Sequence, residues 1–119
     1  MRAKKSLGQN FLMHQQTAER IADAAGITKN DTVFEIGPGT GMLTRALLAR
    51  AKKVIAIEAD ADLLPVLRET FAVEIQRGAL TLIAGDIRTF DRTTLPVPYT
   101  VVANIPYYLT GDIIRTPLS

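Results

Sequence analysis

The chain has no cysteine and no tryptophan in its 119 residues, and His14 is its only histidine. The missing thiols exclude a disulfide frame and a zinc–thiolate site. A single histidine argues against a histidine metal cluster or a histidine-dependent triad, so no metal is expected. No apolar run approaches the roughly 20 residues of a membrane span. The basic N-terminus lacks an apolar segment long enough for a secretory signal. A cytoplasmic, monomeric protein without membrane attachment is the expectation. Excess charge is scarce as well: 14 basic against 12 acidic residues leave a net +2. What is present, 47% hydrophobic and 22% charged residues, is the composition of one ordinary globular domain.

The small net charge is unevenly placed. Arg2, Lys4 and Lys5 all precede the first acid, Glu19. Residues 1–13 therefore read as a basic arm, with Lys4 and Lys5 suited to RNA phosphates.

The most informative segment is Glu35-Ile36-Gly37-Pro38-Gly39-Thr40-Gly41. It joins the apolar run Thr32-Val33-Phe34 to a helical pattern beginning at Met42. Strand, glycine turn and helix start in that order form a nucleotide-cofactor site. Glycine lets the backbone turn sharply and admits a ligand where a Cβ would intrude. A dinucleotide fingerprint would place its third glycine at position 42, where this chain has Met42. That disfavours a nicotinamide-dependent oxidoreductase. Glu58 closes the next apolar run, Val54-Ile55-Ala56-Ile57, about 20 residues past the loop, where an acid meets ribose hydroxyls. Asp86, in Gly85-Asp86-Ile87, closes a third run and could accept a hydrogen bond from an adenine amine.

Helices are expected over Gln15 to Ala25, Gly41 to Ala51 and Leu63 to Phe71, with strands at Thr32–Ile36, Lys53–Glu58, Leu80–Ala84 and Thr100–Ala103. The polar stretch Arg88 to Pro98 reads as a loop. Near-continuous apolar strands alternating with helices point to a doubly wound α/β fold with a parallel sheet. Right-handed crossovers then bring the glycine turn, Glu58, Asp86 and Asn104 to one carboxyl edge.

Asn104-Ile105-Pro106-Tyr107-Tyr108 follows the last apolar run. It resembles the Asn–Ile/Leu–Pro–Tyr/Phe motif of methyltransferases that act on exocyclic base amines. Ser6-Leu7-Gly8-Gln9-Asn10-Phe11-Leu12, the glycine turn, Glu58, Gly85-Asp86-Ile87 and this motif occur in the order seen in the ribosomal RNA adenine N6-dimethyltransferase family, which includes the small-subunit dimethylases and the erythromycin-resistance methylases. The resemblance runs from about Lys4 to Arg115. It implies an S-adenosylmethionine-dependent, Rossmann-like methyltransferase fold of about four parallel strands with flanking helices, incomplete here.

The resemblance also implies the chemistry: methyl transfer to the N6 amine of adenines in ribosomal RNA, with the small-subunit precursor as partner. The Asn104 side-chain carbonyl and the Ile105 backbone carbonyl accept the amine protons, Pro106 stiffens the loop, and Tyr107 stacks on the base. For the cofactor it implies Gly37 and Gly39 at the methionine end, Glu35 ordering the loop, Glu58 on the ribose, and Asp86 with Ile87 at the adenine. Gln9, Asn10 and Leu12 close over the methionine part and target pocket, and Asn104 also borders the cofactor. The family usually has an aspartate where this chain has His14, so the capping of the first helix is expected to change.

The family continues beyond the Asn104 motif with further strands and a helical domain. Residues 14–119 are therefore expected to be the N-terminal part of a catalytic domain, with weak cofactor affinity at best in isolation. A helix is expected to begin near Asp112 and to be broken by Pro117, leaving Thr100–Ala103 as an open sheet edge. Two other readings of the same residues are an RNA-binding or ribosome-assembly factor that retains the site without using it, and a large-subunit adenine methylase.

Overall fold

The four apolar runs form strands at the expected positions: β1 (Thr32–Ile36), β2 (Lys53–Glu58), β3 (Leu80–Ala84) and β4 (Thr100–Ala103). The structure is a computed structural model, and it describes residues 14–103 and the backbone of 112–115. The helices within that range are α1 (Gln15–Ala24), α2 (Met42–Leu48), α3 (Leu64–Thr70) and α4 (Ala72–Gln76). A last strand, β5, spans Asp112–Arg115.

The five strands form one sheet in the order β3-β2-β1-β4-β5. All pairs among β1 to β4 are parallel, and β5 runs antiparallel to β4. The register aligns Ile36 with Ile57 and with Ala103, and Glu58 with Ala84. All four parallel strands thus end along one rim, as right-handed crossovers require.

Side chains alternate between the two sheet faces. Val33, Val54, Ala56, Leu80 and Val102 pack with Ala18, Ala22, Leu43, Ala46, Leu47, Leu67 and Phe71 from the helices. The alanines of α1 let that helix approach closely. Phe34, Ile55, Ile57 and Val101 point the other way and meet Leu95, Phe90, Tyr99 and Ile87. Phe34 stacks on Phe90 at 5.6 Å and meets Tyr99 edge-on at 6.1 Å. The split follows from topology. The chain steps β1 to β2 to β3 in one direction and then crosses back past β1 to β4. A right-handed connection in the reversed direction must pass over the opposite face. That connection is the expected loop, containing one 3-10 turn at Arg92–Thr94.

Three expectations need correction. Asp112–Arg115 is a strand and not a helix start: Ile113 and Ile114 are β-branched, and four residues are too few to propagate a helix. In consequence β4 is not an open edge, because β5 pairs along it from Thr100 to Ala103. The helix expected over Leu63 to Phe71 is α3, Leu64–Thr70; α4, Ala72–Gln76, was not expected and follows a break where Phe71 adopts φ −112° and ψ 29°. The helix after the glycine turn also stops earlier than expected, at Leu48. His14 stands at the α1 N-cap with no side-chain capping bond, as the loss of the family's aspartate suggested.

Candidate cofactor site

The glycine turn departs from β1 at the carboxyl rim. Gly37 donates its N–H to the Ile57 carbonyl at 2.9 Å, which ties the turn to the end of β2. Gly37, Gly39 and Gly41 have φ of 72°, 61° and 94°, in the left-handed region that side chains disfavour. Gly41 is also sterically required, since a Cβ there would lie 2.6 Å from the Phe71 ring. Its carbonyl accepts the Arg45 N–H and starts α2.

Glu58 braces this turn. One carboxylate oxygen accepts the Gly39 N–H at 3.0 Å, and the other accepts the Asp60 N–H at 2.9 Å. The side chain is buried. Glu35 lies deeper, on the helical face of the sheet. Its Oε1 accepts a 2.6 Å bond from the Thr44 hydroxyl, while Oε2 is buried without a partner. Burial pushes its carboxyl up to about 8, against the lowering effect of the Thr44 bond and with a further upward push from the Glu58 charge. The Gly39 N–H therefore goes to Glu58, and Glu35 instead anchors the helix behind the turn.

Asp86 follows β3 on the same rim. Arg88 takes both of its oxygens, with Nη2 at 2.6 Å from Oδ2 and Nε at 3.1 Å from each. The Arg88 backbone N–H adds a 2.8 Å bond to Oδ1. These bonds hold the Asp86 carboxyl down at about 2. Asp86 forms part of the wall of a cleft of about 290 Å³, together with Ile57, Ile83, Gly85, Thr89 and Phe90. Ile87 packs with the second-face core instead.

Gly37, Gly39, Glu35, Glu58 and Asp86 thus converge on one rim. Asn104, Ile105, Pro106 and Tyr107, with Lys4, Lys5, Gln9, Asn10 and Leu12, lie outside the described residues. Ala103, the last described residue of β4, is aligned with Ile36 at the start of the glycine turn. Thr44, Arg88 and Phe90 were missed by the sequence reading. Thr44 meets Glu35 only through the α2–β1 packing. Arg88 had a signal, an acid two residues earlier in a short turn. Among the described residues no cluster of acids and histidines could hold a metal, and no helix is long and apolar enough to cross a membrane.

The family model described as ribosomal RNA adenine dimethylase matches residues 1–119. The chain belongs to this family. Among curated relatives are two proteins named ribosomal RNA small subunit methyltransferase A. That of Deinococcus radiodurans is 44% identical, covering 93% of this chain and 37% of the relative. That of Clostridium botulinum (strain Langeland) is 46% identical, covering 97% of this chain and 42% of the relative. The chain therefore spans about two fifths of the length of these relatives. Among solved structures, the 23S rRNA methyltransferase ErmE superposes with a TM-score of 0.70 at 35% identity, covering 85% of this chain and 39% of that one. The sheet and its helices have the Rossmann-like methyltransferase fold.

Proposed function

We propose that this chain is the cofactor-binding part of an enzyme that transfers methyl groups from S-adenosylmethionine to the N6 amine of adenines in small-subunit ribosomal RNA. The observation that carries the reading is the convergence of the glycine turn, Glu58 and Asp86 on the rim into which β4 runs. The residues present fit this cofactor. Glu58 retains free acceptor positions beside its two backbone bonds, as ribose hydroxyls require. Glu35 offers a buried oxygen without a partner beneath the turn. The small-subunit branch is supported by the relatives named ribosomal RNA small subunit methyltransferase A, 44% and 46% identical to this chain.

The cofactor supplies a methyl group already activated for transfer. The residues of this chain align the acceptor. The adenine amine is a poor nucleophile because its lone pair is shared with the ring. The Asn104 side-chain carbonyl and the Ile105 backbone carbonyl accept hydrogen bonds from its two N–H groups and draw the nitrogen toward tetrahedral geometry, and the proton displaced by the new N–C bond leaves to water. Pro106 fixes φ in that loop, and Tyr107 stacks on the extruded base. Lys4 and Lys5 hold phosphates, and Gln9, Asn10 and Leu12 close the pocket. Repetition after product exchange gives the dimethylated base.

The test is transfer of radiolabelled methyl groups to unmodified small-subunit RNA by the protein that carries this chain. Labelling is expected, and Asn104→Ala should lower it by about 100-fold or more, the effect of removing one preorganised polar group from a reaction centre. Labelling confined to large-subunit RNA would overturn the substrate assignment. Labelling untouched by Asn104→Ala would overturn the role of that residue.

A further inference from the structure

Two acids that the sequence marks alike are bonded differently. Each Glu58 oxygen accepts one backbone N–H. Both Asp86 oxygens are engaged by one neighbour: Oδ1 takes the Arg88 N–H and Nε, and Oδ2 takes Nε and Nη2. Three N–H groups make these contacts, the Nε–H being shared between both oxygens, so Arg88 takes up most of the about four acceptor positions of the ionised carboxylate. The guanidinium itself is loosely held, with its side chain 85% exposed. Releasing it would leave the 2.8 Å backbone bond from Arg88 to Oδ1, so the carboxylate would stay aimed. The cleft beside Asp86 is otherwise walled mainly by Ile57, Ile83, Phe90 and backbone around Gly85, a slot suited to a flat ring.

We propose that Arg88 is a displaceable latch on Asp86, a specificity-determining residue that sets both the affinity and the ring selectivity of this cleft. The inference rests on the reading that Asp86 meets the adenine amine of the cofactor. A ring amine that donates to Asp86 competes with the guanidinium for its oxygens. A ring with a carbonyl in place of the amine meets the opposite situation, because the latched guanidinium can donate to it. The latch therefore weakens the adenine complex, tolerates hypoxanthine, and narrows the discrimination between them. Its effect is modest because exposed ion pairs are weak and salt-screened.

The test uses S-adenosylhomocysteine and its hypoxanthine counterpart, S-inosylhomocysteine, titrated by ligand-observed NMR against the unaltered chain, Arg88→Ala, Asp86→Asn and the double variant Arg88→Ala/Asp86→Ala. Arg88→Ala is expected to bind the adenosyl ligand about two- to fivefold more tightly, the scale of an exposed ion pair. It should bind the inosyl ligand more weakly, and added salt should bring the unaltered chain toward the Arg88→Ala behaviour for the adenosyl ligand. A purely structural role for Arg88 would move both ligands in the same direction, and that result overturns the latch. Unchanged affinities in Arg88→Ala, with Asp86→Asn weakened for the adenosyl ligand, also overturn it while leaving the Asp86 reading intact. Equal adenosyl affinity in Arg88→Ala and in the double variant Arg88→Ala/Asp86→Ala overturns the Asp86 reading itself.

Discussion

The two edges of the parallel sheet are built from the same kinds of turn and are used in opposite ways. At the amino edge the polar groups are satisfied by the chain itself. Asp31 accepts the Thr28 N–H at 2.7 Å, Lys29 donates to the Ala49 carbonyl at the end of α2, and Lys53 donates to the Gly78 carbonyl after α4. Cations there also complement the negative ends of helices. Arg50 clamps α1 to α2 through Glu19 and Asp23. At the carboxyl edge the chain bends through positive φ, buries an acid with one oxygen unbonded, and presents carboxylates. One edge serves stability, and the other holds acceptors in place at some cost to stability.

The largest break in that comparison comes from Glu35. Its carboxyl titrates near 8 in the folded chain, against an ordinary value of 4.5. Below the ordinary value both states are protonated and the group has no effect. Between the two values the folded chain holds a proton that the unfolded chain has lost, so stability falls as pH rises. Above about 8 the whole penalty is present, roughly 4–5 kcal/mol at about 1.4 kcal/mol per unit. Glu35→Gln keeps an acceptor for Thr44 and removes the charge. Urea unfolding at pH 5 and pH 9 should show a steep loss for the unaltered chain and a nearly flat response for the variant. Equal slopes would mean that Glu35 is already ionised, and the contrast between the edges would lose its main support.

The glycines give the next largest contrast. Gly41 at the carboxyl edge and Gly78 at the amino edge both have positive φ, 94° and 81°. A Cβ at Gly41 meets Phe71 at 2.6 Å, and one at Gly78 meets nothing within 4 Å. Gly78→Ala should cost about 1–2 kcal/mol, the backbone penalty alone. Gly41→Ala adds overpacking of about 1–3 kcal/mol. Combining it with Phe71→Leu should recover part of that excess, a coupling that a thermal-unfolding double-mutant cycle would measure. Equal costs at the two glycines would show that the Phe71 contact is slack.

The same contrast explains how far the sequence could be read. Four strands were legible to the residue because Val, Ile and Leu runs between glycines and charges have little other use in a chain this short. Gly37, Gly39, Glu58 and Asp86 were legible because they stand where strands end, and a parallel sheet brings strand ends together. The helix end at Phe71 was legible, but the five-residue helix Ala72–Gln76 after it was not, being too short to carry a period. Nor was β5, because Asp112-Ile113-Ile114-Arg115 is too short to carry a period. The protonation of Glu35 depends on the packing of α2 over β1, and the occupation of Asp86 depends on a side-chain rotamer. Composition and spacing contain neither.

The smallest expected effect sharpens the comparison from the other side. Lys29→Met removes one cation from the end of α2, where its ammonium lies 3.1 Å from the Ala49 carbonyl. A cation at a helix C-terminus contributes about 0.3–1 kcal/mol at low salt, so the melting temperature should fall slightly and the deficit should shrink as salt is added. If the amino edge serves only stability, S-adenosylhomocysteine affinity should not move in this variant. A Lys29→Met chain that unfolds normally but binds the ligand measurably worse would show that the two edges are coupled through α2, whose far end is the glycine turn, and that the division of labour between them is incomplete.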